Sequence, residues 1–239
     1  MKNCKIEVVN SYGGDIEFWA SKDSPDACSA PASTNLSKCN VSVYFDSNNA
    51  KAAEAYKNAE GVKAITALLD GRLDGMDQIN TYDKFDNCSF GNFYPNLQNL
   101  TQTSLKRLAN DTATLYCKEP SVSGIQVDLE PFHGQYVQPM TDFIGYLSEF
   151  LRDENETVGC RNDNFTEGRA VSYFCFAHDQ NETFNKALGE NGYYVFSLYD
   201  LDPKPEAGGF MYNTPAEFAQ RMRAEIPHIR RVVGNTQKF

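Results

Sequence analysis

Val122-Ser123-Gly124-Ile125-Gln126-Val127-Asp128-Leu129-Glu130-Pro131-Phe132 is the stretch whose reading decides the fold. Its polar side chains Gln126, Asp128 and Glu130 recur at every second residue, with Ile125, Val127 and Leu129 between them. Alternate side chains of a strand point to opposite faces, so the pattern predicts a β-strand with one aliphatic and one polar face. A solvated antiparallel strand has such a face. So does a catalytic strand whose last residues open into a pocket, and Pro131, which stops the strand directly after Glu130, favours this second reading.

Outward from this strand, helical and extended segments alternate. Upstream, Val41 to Asp46 reads as a strand ending on an acid, Ala50 to Glu60 as an Ala-rich helix, and Gly61 to Asp70 as a strand ending on an acid and followed by Gly71-Arg72. A helix from about Thr101 to Tyr116 leads into the quoted stretch. Downstream, Phe143, Ile144, Leu147, Phe150 and Leu151 repeat at the helical period and predict an amphipathic helix over Met140 to Asp153. Arg169 to Ala177 reads as a strand, Phe184 to Leu188 as a helical turn, Gly192 to Leu201 as a strand, and Pro215 to Ile226 as a helix capped by Thr214. Val232-Val233-Gly234 begins one more strand. At the start of the chain, Lys5 to Val9 and Asp15 to Ala20 are extended and are separated by the turn signal Tyr12-Gly13-Gly14. A hairpin and a single strand joining the sheet both fit them.

Strands alternating with helices imply βαβ units and a parallel sheet. Six or seven such strands in 239 residues predict an α/β chain with a TIM-type (β/α) barrel, one domain over 1–239, with a Cys/Ser/Pro-rich loop at 21–40 and a long aromatic loop at 75–100. Sites in such folds lie at the C-terminal strand ends. Asp46, Asp70, Glu130 and Asp200 are all expected at such ends, which strengthens the catalytic reading of the quoted strand.

Composition narrows the partners. A net charge of −10 and a pI near 4.8 oppose binding to nucleic acid or anionic membranes. The chain has no run of apolar residues of membrane-spanning length, so no membrane insertion is expected. Residues 1–7 have a basic start but no apolar core, so they do not read as a signal peptide. Asn-x-Ser/Thr occurs eight times, at Asn35, Asn40, Asn87, Asn99, Asn110, Asn155, Asn164 and Asn181, where about two or three are expected by chance. All eight fall in segments read as loops or helix edges, and they predict a secreted or lumenal glycoprotein whose leader is absent from this chain. The seven cysteines contain no C-x-x-C, which argues against zinc and thioredoxin-type sites, and their spread fits disulfides in an oxidising compartment. Cys28 and Cys39 are candidates to close a short loop, the odd count leaves a thiol free, and Cys175 reads as a small buried hydrophobe.

With these elements in place, Ser123 to Glu130 resembles the fourth-strand signature Asp-Gly-x-Asp-x-Asp-x-Glu of family 18 glycoside hydrolases, the chitinases and endo-β-N-acetylglucosaminidases. Ser197-Leu198-Tyr199-Asp200 resembles that family's sixth-strand Met-x-Tyr-Asp, and the order of elements matches over roughly residues 60–230. The first two acids of the signature are replaced by Ser123 and Gln126, Leu129 stands at its Trp-like position, and Leu69-Asp70-Gly71-Arg72 takes the place of Ser-x-Gly-Gly on the third strand. The chain ends near the seventh strand, which reads as a fragment or a pared-down barrel, incomplete at its C-terminal end.

The resemblance implies that Glu130 is the general acid and that Asp128 orients the substrate's 2-acetamido group, whose carbonyl oxygen attacks the anomeric carbon. Residues two apart on a strand lie roughly 6 to 7 Å from each other, close enough for one carboxylate to raise the pKa of the other. It further implies substrate binding by Gln126, Tyr199 and Asp200. Asp70 and Arg72 are candidates for a subsite contact or an ion pair that supports the rim, and Trp19, Phe90, Phe93 and Tyr94 for sugar stacking or loop packing. No metal or cofactor is expected. His133, His178 and His228 read as loop or structural residues. The implied partner is an oligosaccharide or polysaccharide, bound by a monomer. Two rivals stand beside this expectation: a chitinase-like lectin that binds without cleaving, favoured by the replaced acids, and a phosphodiesterase-type barrel holding a divalent cation, which lacks paired histidines.

Overall fold

A computed structural model of the chain describes residues 8–20, 39–58, 61–74, 100–129, 137–176, 189, 191–197 and 215–233. The elements in order are β1 (Val8–Ala20), β2 (Cys39–Phe45), α1 (Ser47–Lys57), β3 (Ala64–Asp74), α2 (Gln102–Cys117), β4 (Gly124–Asp128), α3 (Val137–Arg152), β5 (Ala170–Phe176), β6 (Tyr193–Ser197) and α4 (Pro215–Val233). They form an α/β fold around one six-stranded sheet of order β2-β1-β3-β4-β5-β6. Only β2 runs antiparallel, against β1; β1, β3, β4, β5 and β6 are mutually parallel in sequence of pairing. Among the described residues no pairing joins β2 to β6, and both edges of β1 are occupied, by β2 and β3.

The quoted stretch is the central strand of the parallel series. Ile125, Val127 and Leu129 pack with Ala67 and Leu69 of β3 and Val171 and Tyr173 of β5 into the core beneath the helices. Helix α2 starts where Thr101 accepts a hydrogen bond from the Ser104 N–H at 3.1 Å, a side-chain cap for a backbone donor otherwise without a partner. It presents Leu105, Leu108, Ala109, Thr112, Ala113 and Tyr116 to the sheet. Helix α3 buries Met140, Phe143, Ile144, Leu147 and Leu151 completely, each contributing about 2 kcal/mol as an upper estimate. The helical periods read from these segments are therefore those of the buried faces, and Phe150 alone stays at the margin of the core.

Three sequence expectations change. The described end of the first extended segment, Val8 and Val9, and the whole of the second belong to one strand, β1, in which Tyr12-Gly13-Gly14 is a bulge: the register with β3 shifts between Tyr12 and Gly14. Glycine is required there by close approach, since a Cβ on Gly13 would stand 2.8 Å from the Ala67 Cβ, the Leu68 carbonyl oxygen and the Tyr116 ring. Val232 and Val233 belong to α4 and not to a strand, because the helix runs on through Pro227. Proline removes one N–H and its hydrogen bond but does not oblige the remaining turns to unwind. Asp46 is not at a site-bearing strand end. It follows the antiparallel strand, accepts a hydrogen bond from the Asn48 N–H at 2.8 Å and caps α1.

Opposite the quoted strand's polar end, the chain is fastened by three devices. Cys117 at the end of α2 is disulfide-bonded to Cys160. Asp153, 3% exposed, accepts hydrogen bonds from the Thr157, Val158, Gly159 and Cys160 N–H groups at 2.7 to 2.9 Å. Burial alone would raise its carboxyl, but the backbone donors outweigh it and hold the pKa below the ordinary value. Arg169, 4% exposed, donates to the carbonyls of Tyr116, Cys117, Glu119 and Val122 at 2.7 to 3.2 Å and stacks on the Phe165 ring. It meets the carbonyl-rich end of α2 with a positive charge. Burial lowers its pKa to about 10, with Glu119 opposing the shift, so it stays charged at neutral pH.

The sequon reading is sharpened by these elements. Asn155 and Asn164 are exposed in the connection after α3, whereas Asn110 lies inside α2 and the hydroxyl of its Thr112 is buried against the Leu108 carbonyl. Asn40 lies within β2. Among the described residues no helix is long and apolar enough to cross a membrane. The loops at 21–40 and 75–100, apart from their last residues, the turn at 184–188, and the side chains of Cys28, Cys175 and Trp19 lie outside the described residues.

Candidate active site

Register converts the sequence pattern into geometry. Asp70 of β3 pairs with Asp128 of β4, and Asp15 of β1 pairs with Asp70. The three carboxylates therefore form one line across three neighbouring parallel strands, whose spacing is about 4.8 Å. Leu69, Val127 and Ile16, their immediate neighbours in the chain, belong to the core under the helices, so the carboxylates occupy the other face. One layer deeper on that face the line is Tyr12, Leu68, Gln126, Ser172 and Tyr193.

The bulge at Gly13 places Tyr12 and Asp15 on the same face although they are an odd number of residues apart. The Tyr12 hydroxyl donates to Asp15 Oδ2 at 2.5 Å, at the short end of the range for O–H···O bonds. Asp15 is 6% exposed. Asp70 is half-buried, and its Oδ1 accepts from the Gly71 N–H at 2.7 Å. Burial pushes the Asp70 carboxyl up from its ordinary value, the Gly71 N–H partly lowers it, and the charge of Asp15 adds to the rise. Tyr116 reaches the bulge from the helix side, packs edge-on against Phe45 and donates to the Leu68 carbonyl oxygen at 3.4 Å. Its burial, followed by Asp15, Tyr12 and Asp70, holds the phenol well above its ordinary pKa, so it remains a donor.

Gln126 is 4% exposed, and its Oε1 has no hydrogen-bond partner among the described residues. Ser172, beside it on β5, is also buried. A buried acceptor lacking a donor is destabilising by about 1–3 kcal/mol, and such groups concentrate where a ligand or a proton completes them.

Of the sequence-predicted residues, Asp70, Gln126 and Asp128 are brought together on one face by β3 and β4. The backbone of Arg72 continues β3 in register with Glu17 of β1, and its side chain lies outside the described residues. Glu130, Tyr199 and Asp200 also lie outside them, as do His133 and His178. Sequence reading missed Asp15 and Tyr12. The signal was present in the alternation Asp15-Ile16-Glu17-Phe18, but the two glycines before it read as the end of a strand. Among the described residues no three His, Cys, Asp or Glu side chains are placed to hold a metal ion.

No family model matches the sequence, and neither does any curated protein. Among solved structures the chain is similar to the crystal structure of chitinase from Chromobacterium violaceum ATCC 12472, with 13% identity and a TM-score of 0.48. The likeness covers 82% of this chain and 49% of that one, so the chain spans about half the length of the chitinase. A likeness of that depth carries no inference about activity.

Proposed function

We propose that the chain is a glycoside hydrolase that cleaves β-1,4-linked N-acetylglucosamine, in chitin-type chains or N-glycan cores, by substrate-assisted retaining catalysis. The observation that carries the reading is the line Asp15, Asp70 and Asp128 on the polar face of a parallel sheet, with Glu130 following two residues after Asp128. In this reading Glu130 protonates the glycosidic oxygen. Asp128 accepts the acetamido N–H and favours attack of its carbonyl oxygen on the anomeric carbon, while Tyr199 and Asp200 bind the same group. Asp70, Arg72 and Gln126 line the subsite. The six strands are the described part of a TIM-type (β/α) barrel, and because β1 has both edges occupied, closure in this reading runs through β2. The disulfide Cys117–Cys160 and the exposed sequons Asn155 and Asn164 support a secreted or lumenal setting.

Hydrolysis of N-acetylglucosamine oligomers by the full chain, and its loss in Glu130→Gln with the fold intact by circular dichroism, is the expected result. Turnover in that variant equal to wild type sinks the assignment. One observation favours a second reading, a carbohydrate-binding protein without cleavage: an amide, Gln126, stands where the resemblance expects a carboxylate. Calorimetry with chitin oligomers that shows binding while product analysis shows no cleavage decides for it.

A further inference from the structure

Asn164-Phe165-Thr166 differs from the other Asn-x-Ser/Thr triplets of the described residues in what lies beside it. Asn164 and Phe165 form one wall of a cleft of about 190 Å³ at the N-terminal ends of β3 and β4, whose other walls include Val62, Ala64, Ser121 and Ser123. Asn164 and Thr166 are exposed, and Phe165 is half-buried with the Arg169 guanidinium 4.8 Å from its ring centre. The turn that carries the triplet is fixed. Asn162 Oδ1 accepts from the N–H groups of Asn164 and Phe165 at 2.9 and 3.1 Å, and the backbones of Asn162 and Phe165 bond to each other at 2.9 and 3.4 Å. A group attached to Asn164 is therefore held beside the cleft. Asn155 is exposed on the same connection but lines no part of this cleft. The cleft mixes apolar surface with hydroxyls. The Ser121 hydroxyl donates to Glu119 Oε1 at 2.6 Å and keeps its oxygen as an acceptor, while Ser123 Oγ accepts from the Ile65 N–H at 3.2 Å and keeps its hydrogen to donate. Val62, Ala64 and Phe165 supply carbon surface. A pyranose, with carbon–hydrogen faces and a rim of hydroxyls, needs both kinds of partner.

We propose that Asn164 carries an N-linked glycan whose first sugar, an N-acetylglucosamine, sits in this cleft and ties the turn to the N-terminal ends of β3 and β4. The inference rests on the secreted or lumenal reading, which supplies the co-reactant, an oligosaccharide carried on a lipid pyrophosphate. Asn164 Nδ2 forms a bond to the anomeric carbon of the first sugar, and the bond from that carbon to the pyrophosphate oxygen breaks. The lipid pyrophosphate leaves with the electron pair, and one Nδ2 proton passes to base. The Thr166 hydroxyl is the group that the transferring enzyme reads in the triplet. Once attached, the sugar meets the cleft intramolecularly, so contacts too weak to hold a free sugar suffice to seat a tethered one. The connection between α3 and β5, already fastened by Asp153, Arg169 and the disulfide, gains a further tie on the end of the sheet away from the carboxylates.

The test secretes the full chain from a eukaryotic host behind a cleavable leader, as wild type, Thr166→Ala, Asn155→Gln, Val62→Arg and Val62→Arg/Thr166→Ala. Mass spectrometry of peptides is expected to find a glycan on Asn164 in wild type and none there in Thr166→Ala. The melting temperature is expected to fall by about 2–4 °C in Thr166→Ala and to be unchanged in Asn155→Gln. Trimming the wild-type glycan with an endoglycosidase to its first sugar leaves the melting temperature where it was, because only that sugar meets the cleft. With Val62→Arg, whose long charged side chain fills the cleft, adding Thr166→Ala changes nothing. Nuclear Overhauser contacts between the acetamido methyl of the first sugar and the Phe165 ring give a reading independent of stability, and they decide the matter if Val62→Arg does not fold. An occupied Asn164 whose loss leaves the melting temperature unchanged, or trimming to one sugar that costs as much as Thr166→Ala, overturns the proposal. So does a glycan on Asn155 with Asn164 bare, which leaves the glycoprotein reading standing. Absence of glycan from all eight triplets removes both.

Discussion

The two ends of the parallel strands use aspartate in opposite ways. At the N-terminal end, the buried carboxylate of Asp153 is surrounded by backbone N–H donors, Arg169 answers the last carbonyls of α2, and a disulfide closes the arrangement. At the other end, Asp15, Asp70 and Asp128 face one another across the strands, and buried Gln126 has an acceptor left over. Both ends bury polar groups. Among the described residues each end leaves one buried side-chain atom without a hydrogen-bond partner, Arg169 Nε at the first and Gln126 Oε1 at the second. What differs is charge: the first end sets a carboxylate among donors and a cation among carbonyls, which is the mark of structure, while the second sets carboxylates against one another, which marks a place awaiting a ligand or a proton.

Arg169→Met should cost about 4–5 kcal/mol, because it removes hydrogen bonds from a buried cation to four carbonyls; a loss below about 1 kcal/mol by urea denaturation breaks the structural assignment of that end. Removing the disulfide as Cys117→Ala/Cys160→Ala opens a loop with a sequence separation of 43 and should cost about 4 kcal/mol by chain entropy, read as a lower denaturation midpoint with a steeper slope, because the unfolded chain without the cross-link exposes more surface. Asp153→Asn should cost roughly 2–3 kcal/mol, since an amide gives up the charge that its backbone donors meet.

The sign with pH distinguishes the two aspartates. Asp153 has a lowered pKa when folded, so its contribution is present above the unfolded value of 3.8 and is lost as pH falls through the folded value. The gap between wild type and Asp153→Asn should close on acidification. Asp70 has a raised pKa when folded, so the state it favours is complete below 3.8 and is lost as pH rises through the folded value. Asp70→Asn should therefore melt a few degrees above wild type at neutral pH, with the difference vanishing in acid. A neutral-pH melting point lowered by Asp70→Asn would place that residue with the structural end.

Much of this was legible in the residues, and the parts that were not have physical reasons. Strand β4 and helices α2 and α3 could be read because each buries one face, and burial imposes a period. Strand β1 could not, because Gly13 and Gly14 serve close packing against β2, β3 and α2, contacts distant in sequence that look locally like a turn. Asp46 was misplaced for a related reason: whether a strand runs parallel or antiparallel is set by its partner and not by its own composition. Asp70 and Asp128 were legible singly, as acids after aliphatic runs. Their alignment with Asp15 depended on a register that no stretch of the chain states alone.

Thr157, Val158, Gly159 and Cys160 belong to no helix or strand, yet their amide hydrogens end on the buried Asp153 carboxylate. Slow solvent exchange is usually taken as the signature of regular secondary structure, but here a single side chain would impose it on an irregular segment. Exchange at these four amides reports on one carboxylate, and they open together or not at all.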